Sequence, residues 1–177
     1  MTRSLGSAVV SDFDGTLARL DVAWQALRET LSVDRVDDLW NDPGPQRWDA
    51  VTRAEVEAAR TAAPVPFVMH ALSSVPAIAV LTSNDEDAVQ TFLDRWPDLR
   101  SRVRTVVGRR ALGGPKTNFE IFSVGYATCL RAIDAKESSR ITYIGDSEYE
   151  LDFARSLGAD AYGVSELEAA TRGRGKD

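Results

Sequence analysis

Two aspartates one residue apart, Asp12 and Asp14, follow the apolar run 8–10 and precede Gly15. Carboxylates so placed can bind a cation, attack an electrophile or move protons. Burying them at the exit of a hydrophobic strand without partners would be costly, and Gly15 lets the chain turn sharply beside them. The plain alternative is a solvated strand-to-turn edge, since Asp-Gly is a common turn dipeptide. Three more polar sites stand at comparable places. Thr82, Ser83 and Asn84 follow an apolar run, Lys116 follows Gly113, Gly114 and Pro115, and Asp146 follows Gly145. Each also has an ordinary explanation, as helix cap, surface lysine or turn residue.

The elements that must position these residues can be read from apolar periodicity. Runs at 8–10, 77–81, 103–107 and 141–144, with a weaker one at 159–164, have the length of buried strands. Ala88, Val89, Phe92, Leu93 and Trp96 form one helical stripe, and Phe119, Phe122, Tyr126, Leu130 and Ile133 another. Strands alternating with helices predict right-handed crossovers and a parallel sheet. Ser83 with Glu86, Thr117 with Glu120, and Ser147 with Glu150 have capping-box spacing. Strand-to-helix junctions of an open parallel sheet gather on one edge, where ligands bind. The expected fold is α/β, a Rossmann-like parallel sheet of about five strands with helices on both faces and a small helical cap inserted after the first strand.

The cap is assigned to 17–64 and the body to 1–16 and 65–177. Leu20, Trp24, Leu27 and Leu31 have helical spacing, with Asp21 as candidate N-cap. A turn is expected at 41–45, and Pro45 suits the first position of a helix running towards Ala62. Ala63 to Pro66 reads as a stiff hinge, 66–74 as a helix, and the tail 171–177 as a segment that frays. Trp24, Trp40 and Trp48 are expected in the cap core, and Arg28, Arg35, Arg47 and Arg53 are candidates to reach a substrate.

The string from Asp12 to Leu17, Asp-Phe-Asp-Gly-Thr-Leu, resembles the signature of the haloacid dehalogenase-like superfamily, in its phosphatase branch. Leu81-Thr82-Ser83-Asn84, Lys116 and Tyr143-Ile144-Gly145-Asp146-Ser147 resemble that family's later motifs, in order. The resemblance implies a Mg²⁺-dependent hydrolase of phosphate monoesters that works through an aspartyl phosphate. Asp12 would be the nucleophile and Asp14 the acid and base. Lys116 and Ser83, with Asn84, would hold the phosphoryl oxygens. Asp12, the Asp14 main-chain carbonyl and Asp146 would hold the metal. Family members often carry a second Asp one helical turn after that of the fourth motif, where this chain has Glu150. Glu150 could complete a cap, reach the metal through water or pair with Lys116.

The formal net charge of -6 over 177 residues disfavours nucleic acid and anionic membranes as partners. The resemblance implies a small phosphorylated metabolite instead, an anion that a metal ion and a well-placed Lys would have to attract locally. Cys129 is the sole cysteine, so no intramolecular disulfide forms. With no apolar start resembling a signal peptide, the expectation is a cytoplasmic protein. His70 and Cys129 are expected to be structural, and Arg100, Arg102, Arg104, Arg109 and Arg110 to form a solvated edge. A dehalogenase would need neither Asp14 nor Mg²⁺. A phosphomutase, a phospho-accepting signalling module and a non-catalytic phospho-binding module are the remaining alternatives. The oligomeric state is left open.

Overall fold

Strand β1 (Ala8–Ser11) is wholly buried, and its side chains alternate between two cores. Val9 joins a cluster on one face, and Ala8 and Val10 join another on the opposite face, as the two-residue period of a strand requires. The computed structural model describes residues 5–41, 44–135 and 140–172. Part of the expected turn, Asp42 and Pro43, lies outside the described residues, as does 173–177 of the tail expected to fray over 171–177; Thr171 and Arg172 are instead helical.

After β1 the chain runs through β2 (Ala18–Arg19), α1 (Trp24–Leu31), a 3₁₀ turn (Val36–Trp40), α2 (Pro45–Thr61) and β3 (Ala63–Pro64). Next come α3 (Pro66–Leu72), β4 (Ala77–Leu81), α4 (Glu86–Leu93), α5 (Pro97–Arg100), β5 (Val103–Val107) and α6 (Arg109–Leu112). The last elements are α7 (Phe119–Ala132), β6 (Ile141–Gly145), α8 (Glu148–Ser156), β7 (Asp160–Gly163) and α9 (Val164–Arg172). Five strands pair in the order β5-β4-β1-β6-β7, all parallel. Ile78 and Val80 join Val9 and Ile144 beneath α3 and α4, while Ala79, Leu81 and Tyr143 join Val10 beneath α7 and α8. The fold is therefore α/β and Rossmann-like, with helices on both faces. Among the described residues no helix is long and apolar enough to cross a membrane.

The order places β1 between β4 and β6, strands reached by crossovers to opposite sides. That is the topological switch point, where a crevice opens at the C-terminal strand ends. The segment after β1 leaves and returns side by side, because Ala18 and Arg19 pair antiparallel with Pro64 and Ala63. What reads as a hinge is thus a two-residue strand. The inserted segment has a small cluster of its own around Leu31, Leu39 and Val51. Its ends belong to the main core, since Leu17, Ala18, Ala59 and Ala62 pack with Phe13, Phe92 and Val89.

Several local expectations are corrected. Asp85, not Ser83, caps α4, accepting from the Asp87 amide, and Asn118, not Thr117, caps α7, accepting from the amides of Glu120 and Ile121. Ser147 is the N-cap of α8 but makes no side-chain cap bond. Helix α1 begins at Trp24 after Ala23, so Asp21 is not its cap. Pro45 does open α2, where its missing N–H costs nothing.

Candidate active site

Asp12 follows β1, and its amide still donates to the Ile144 carbonyl at 2.8 Å, so the sheet fixes its backbone. The residue is 5% exposed, with Oδ1 accepting from Lys116 Nζ at 2.6 Å and Oδ2 from the Thr16 hydroxyl at 3.3 Å. Lys116, also buried, donates to Leu81 O at 3.3 Å and lies 2.8 Å from Glu150 Oε1. An ammonium has three protons, and here each has an acceptor. Glu150 accepts further from the phenols of Tyr143 at 2.6 Å and Tyr149 at 3.0 Å. Of the roles open to Glu150, the capping box fails and the pairing with Lys116 is what the structure holds.

One cation thus serves two buried carboxylates, and the balance is acidic. Burial raises the Asp12 pKa, Glu150 and Asp146 raise it further, and Lys116 opposes them. Burial lowers the Lys116 pKa, but the two carboxylates outweigh it and hold the ammonium charged. Both Tyr143 and Tyr149 are pushed up, by burial first and then by Glu150, and so remain donors.

Asp14 is half-buried and accepts from the Leu20 amide at 2.9 Å through Oδ1. Burial raises its pKa, and Asp146 adds to the rise. Gly15 has φ +77, and a Cβ built there would stand 2.1 Å from Asp146 Oδ2. Only glycine combines that backbone with room for the Asp146 carboxylate. Asp146 is exposed, and its pKa is raised by partial desolvation and by Glu150.

Among the described residues no three His, Cys, Asp or Glu side chains converge on one metal position. The expected donor set asks for only two carboxylates, Asp12 and Asp146, with the Asp14 main-chain carbonyl. All three aspartates are held above their ordinary pKa, and Asp146 raises both of the others. Hard oxygen donors in mutual repulsion fit a divalent cation that keeps several waters.

The loop after β4 brings Thr82, Ser83 and Asn84 to the same cleft. The buried Thr82 hydroxyl donates to Asn84 Oδ1 at 2.9 Å and accepts from the Asn84 amide at 3.1 Å. Asn84 Nδ2 donates to Glu55 at 3.1 Å, so its carboxamide is largely committed within the protein. Ser83 is exposed at the cleft, and its hydroxyl has no hydrogen-bond partner among the described residues. That leaves it available to a ligand.

Two cleft residues escaped the sequence reading. Glu55 on α2 is 2% exposed and accepts from Asn84, from the Asp85 amide at 3.0 Å and from Arg109 at 2.9 Å. Arg109, expected on a solvated edge, is 5% exposed and lies over the Trp48 ring at 4.7 Å. It also donates to Thr52 at 2.9 Å. The signal for Arg109 was its place at the end of β5, on the same sheet edge as the other site residues; nothing local marked Glu55. Of the remaining arginines, Arg28 and Arg35 line the cleft. Arg47 donates to the Leu31 carbonyl, and Arg53 is exposed. Arg102 instead donates to the carbonyls of Leu72 and Val75. Trp24, Trp40 and Trp48 are only part buried and border a cleft of about 390 Å³. His70 is exposed on α3, and Cys129 is fully buried.

No protein-family model and no curated protein matches the chain. Solved structures do. A candidate phosphoglycolate phosphatase from Lactobacillus plantarum superposes with a TM-score of 0.66 at 14% identity, over 95% of this chain and 91% of that one. A HAD-superfamily hydrolase from Ehrlichia chaffeensis gives 0.60 at 13%, over 97% of both chains. A candidate β-phosphoglucomutase from Thermotoga maritima gives 0.57 at 20%, over 88% and 84%. At these identities the likeness is one of fold. The chain has the haloacid dehalogenase-like fold.

Proposed function

We propose that this protein is a Mg²⁺-dependent phosphatase that hydrolyses a small phosphate monoester through an aspartyl phosphate on Asp12. The observation that carries the reading is the buried Asp12 carboxylate at the switch point of the sheet. It lies 2.6 Å from a buried ammonium, with the half-buried Asp14 two residues on. In this reading the segment 17–64 is the cap over that site and 1–16 with 65–177 the body, with the ends of the insert packed into the body's core.

A carboxylate and a phosphate ester repel each other. The cleft is lined by seven carboxylates, Asp12, Asp14, Asp34, Asp37, Glu55, Asp146 and Glu150, against four cations, Lys116, Arg28, Arg35 and Arg109. A bound Mg²⁺, held by Asp12, the Asp14 carbonyl and Asp146, would supply the missing positive charge to the phosphoryl oxygens. Lys116 holds Asp12 in place and faces the transferring group, and the free Ser83 hydroxyl donates to one of its oxygens. Asp12 oxygen attacks phosphorus as the ester oxygen departs and takes the Asp14 proton. Asp14, now ionised, removes a proton from water, which attacks phosphorus and releases phosphate and the Asp12 carboxylate. The raised pKa of Asp14 suits a group that must begin protonated.

A phosphomutase would use the same residues and send the phosphoryl group to a second hydroxyl of an organic acceptor. The fold shared with a candidate β-phosphoglucomutase is what keeps that reading in view. Phosphate release from an aryl phosphate, with Mg²⁺ and with excess chelator, tests the proposal. Release that depends on Mg²⁺ and vanishes in Asp12→Asn supports it. Full activity in chelator, or in that variant, overturns it.

A further inference from the structure

We propose that the organic group of the substrate is planar and aromatic, and that it stacks on a tryptophan wall that the inserted segment presents to the cleft. This inference rests on the phosphatase reading and specifies its substrate class. Three of the four tryptophans, Trp24, Trp40 and Trp48, fall in the inserted segment, and all three line the cleft that holds Asp12 and Lys116. Trp24 and Trp48 pack against the segment's small core cluster, as expected of cap-core residues, but they are not its innermost members. Leu31, Leu39 and Val51 fill that role at 9%, 0% and 0% exposure, while the indoles stay part open. Large apolar rings left part open at the rim of a polar cleft gain beyond simple area burial when another ring packs on them.

Two members of the wall are also braced. Trp40 and Trp48 lie 4.8 Å apart, inclined at 51°. The Arg109 guanidinium covers Trp48 and is itself fixed by Glu55 and Thr52. A platform fixed before binding loses little entropy when a ring settles on it. The volume of about 390 Å³ leaves room for a ring beyond the phosphoryl group.

Other occupants fit less well. A quaternary ammonium needs rings spaced around it, whereas Trp40 and Trp48 are packed against each other. The charges at this end of the cleft balance, with Arg28 and Arg35 against Asp34 and Asp37, so no net field selects an ionic group there.

Phosphonates test the wall without chemistry, because their C–P bond is not an ester. The protein with Mg²⁺ is titrated calorimetrically with benzylphosphonate, cyclohexylmethylphosphonate and methylphosphonate. Benzylphosphonate is expected to bind roughly three- to tenfold more tightly than its saturated counterpart, the range typical of aromatic pairing. Trp40→Leu is expected to bring the two cyclic compounds to equal affinity. Equal affinities in the unaltered protein, or tighter binding of the saturated ring as a sugar-phosphate site would give, overturn the inference. If that happens while phosphate esters are still turned over, the phosphatase reading stands and only the aromatic class falls. If no phosphonate binds and no ester is hydrolysed, the phosphatase reading fails first.

Discussion

Glu150 Oε1 lies 2.8 Å from Lys116 Nζ, and both side chains are almost completely buried. The same carboxylate accepts hydrogen bonds from Tyr143 and Tyr149, so it anchors the lysine to the β6–α8 side of the sheet. Removing one member of a buried network leaves the others desolvated and unpaired.

Glu150→Ala should therefore destabilise the protein by about 1–3 kcal/mol, because the Tyr143 hydroxyl and one ammonium proton lose their acceptor. Glu150→Gln keeps an acceptor and should cost less. Urea unfolding of the three proteins checks the order. An unchanged midpoint for Glu150→Ala would mean that water replaces the carboxylate and that the network adds nothing to stability.

Gly15→Ala combines a left-handed backbone with a Cβ 2.1 Å from Asp146 Oδ2. The backbone alone disfavours alanine by about 1–2 kcal/mol, and Asp146 must also move aside. The variant should show a lower Tm and should lose the Mg²⁺-induced rise in Tm expected by mass action for the unaltered protein. A variant with the parental response to Mg²⁺ would show that Asp146 is not positioned by Gly15.

The body of this fold was legible because its strands are short apolar runs with chemistry at their ends. β4 and β5 fall at the boundaries that periodicity predicts, and Asp12, Ser83, Lys116 and Asp146 do meet at one edge. Helix caps were less legible, since Ser83, Asn84 and Asp85 are all competent caps and only tertiary contacts choose among them. Asp85 wins because Asn84 is drawn to Thr82 and Glu55. Glu55 and Arg109 lie 54 positions apart in sequence, so no local pattern announces their pairing. A glutamate within a charged helix and an arginine within a run of arginines look solvated until the helices are packed.

That pair joins the inserted segment to the start of α6, beside the loop that presents Ser83. Arg109→Met should destabilise the protein by about 3–5 kcal/mol, the usual loss when one partner of a buried ion pair is removed. Glu55→Gln with Arg109→Met should cost clearly less than the two single changes added together. Denaturant unfolding of all four proteins gives the coupling. Strict additivity would show that the two side chains do not depend on each other.

Asp14 should fail differently from Asp12. In Asp14→Asn the carboxamide oxygen can still accept from the Leu20 amide, so the turn after β1 keeps its geometry. What disappears is proton transfer, which typically contributes about 10²–10⁴-fold. The variant should be slow rather than dead, and slowest on esters whose leaving groups are poor. A phenolate of low pKa departs without much protonation, so the first step on an activated aryl ester should suffer less. The second step still needs an activated water, so phosphorylated Asp12 should accumulate. Rapid-quench labelling with a radioactive ester would trap it on the protein. Equal losses for good and poor leaving groups, with no trapped phosphoenzyme, would remove Asp14 from proton transfer and leave it the single task of holding Leu20.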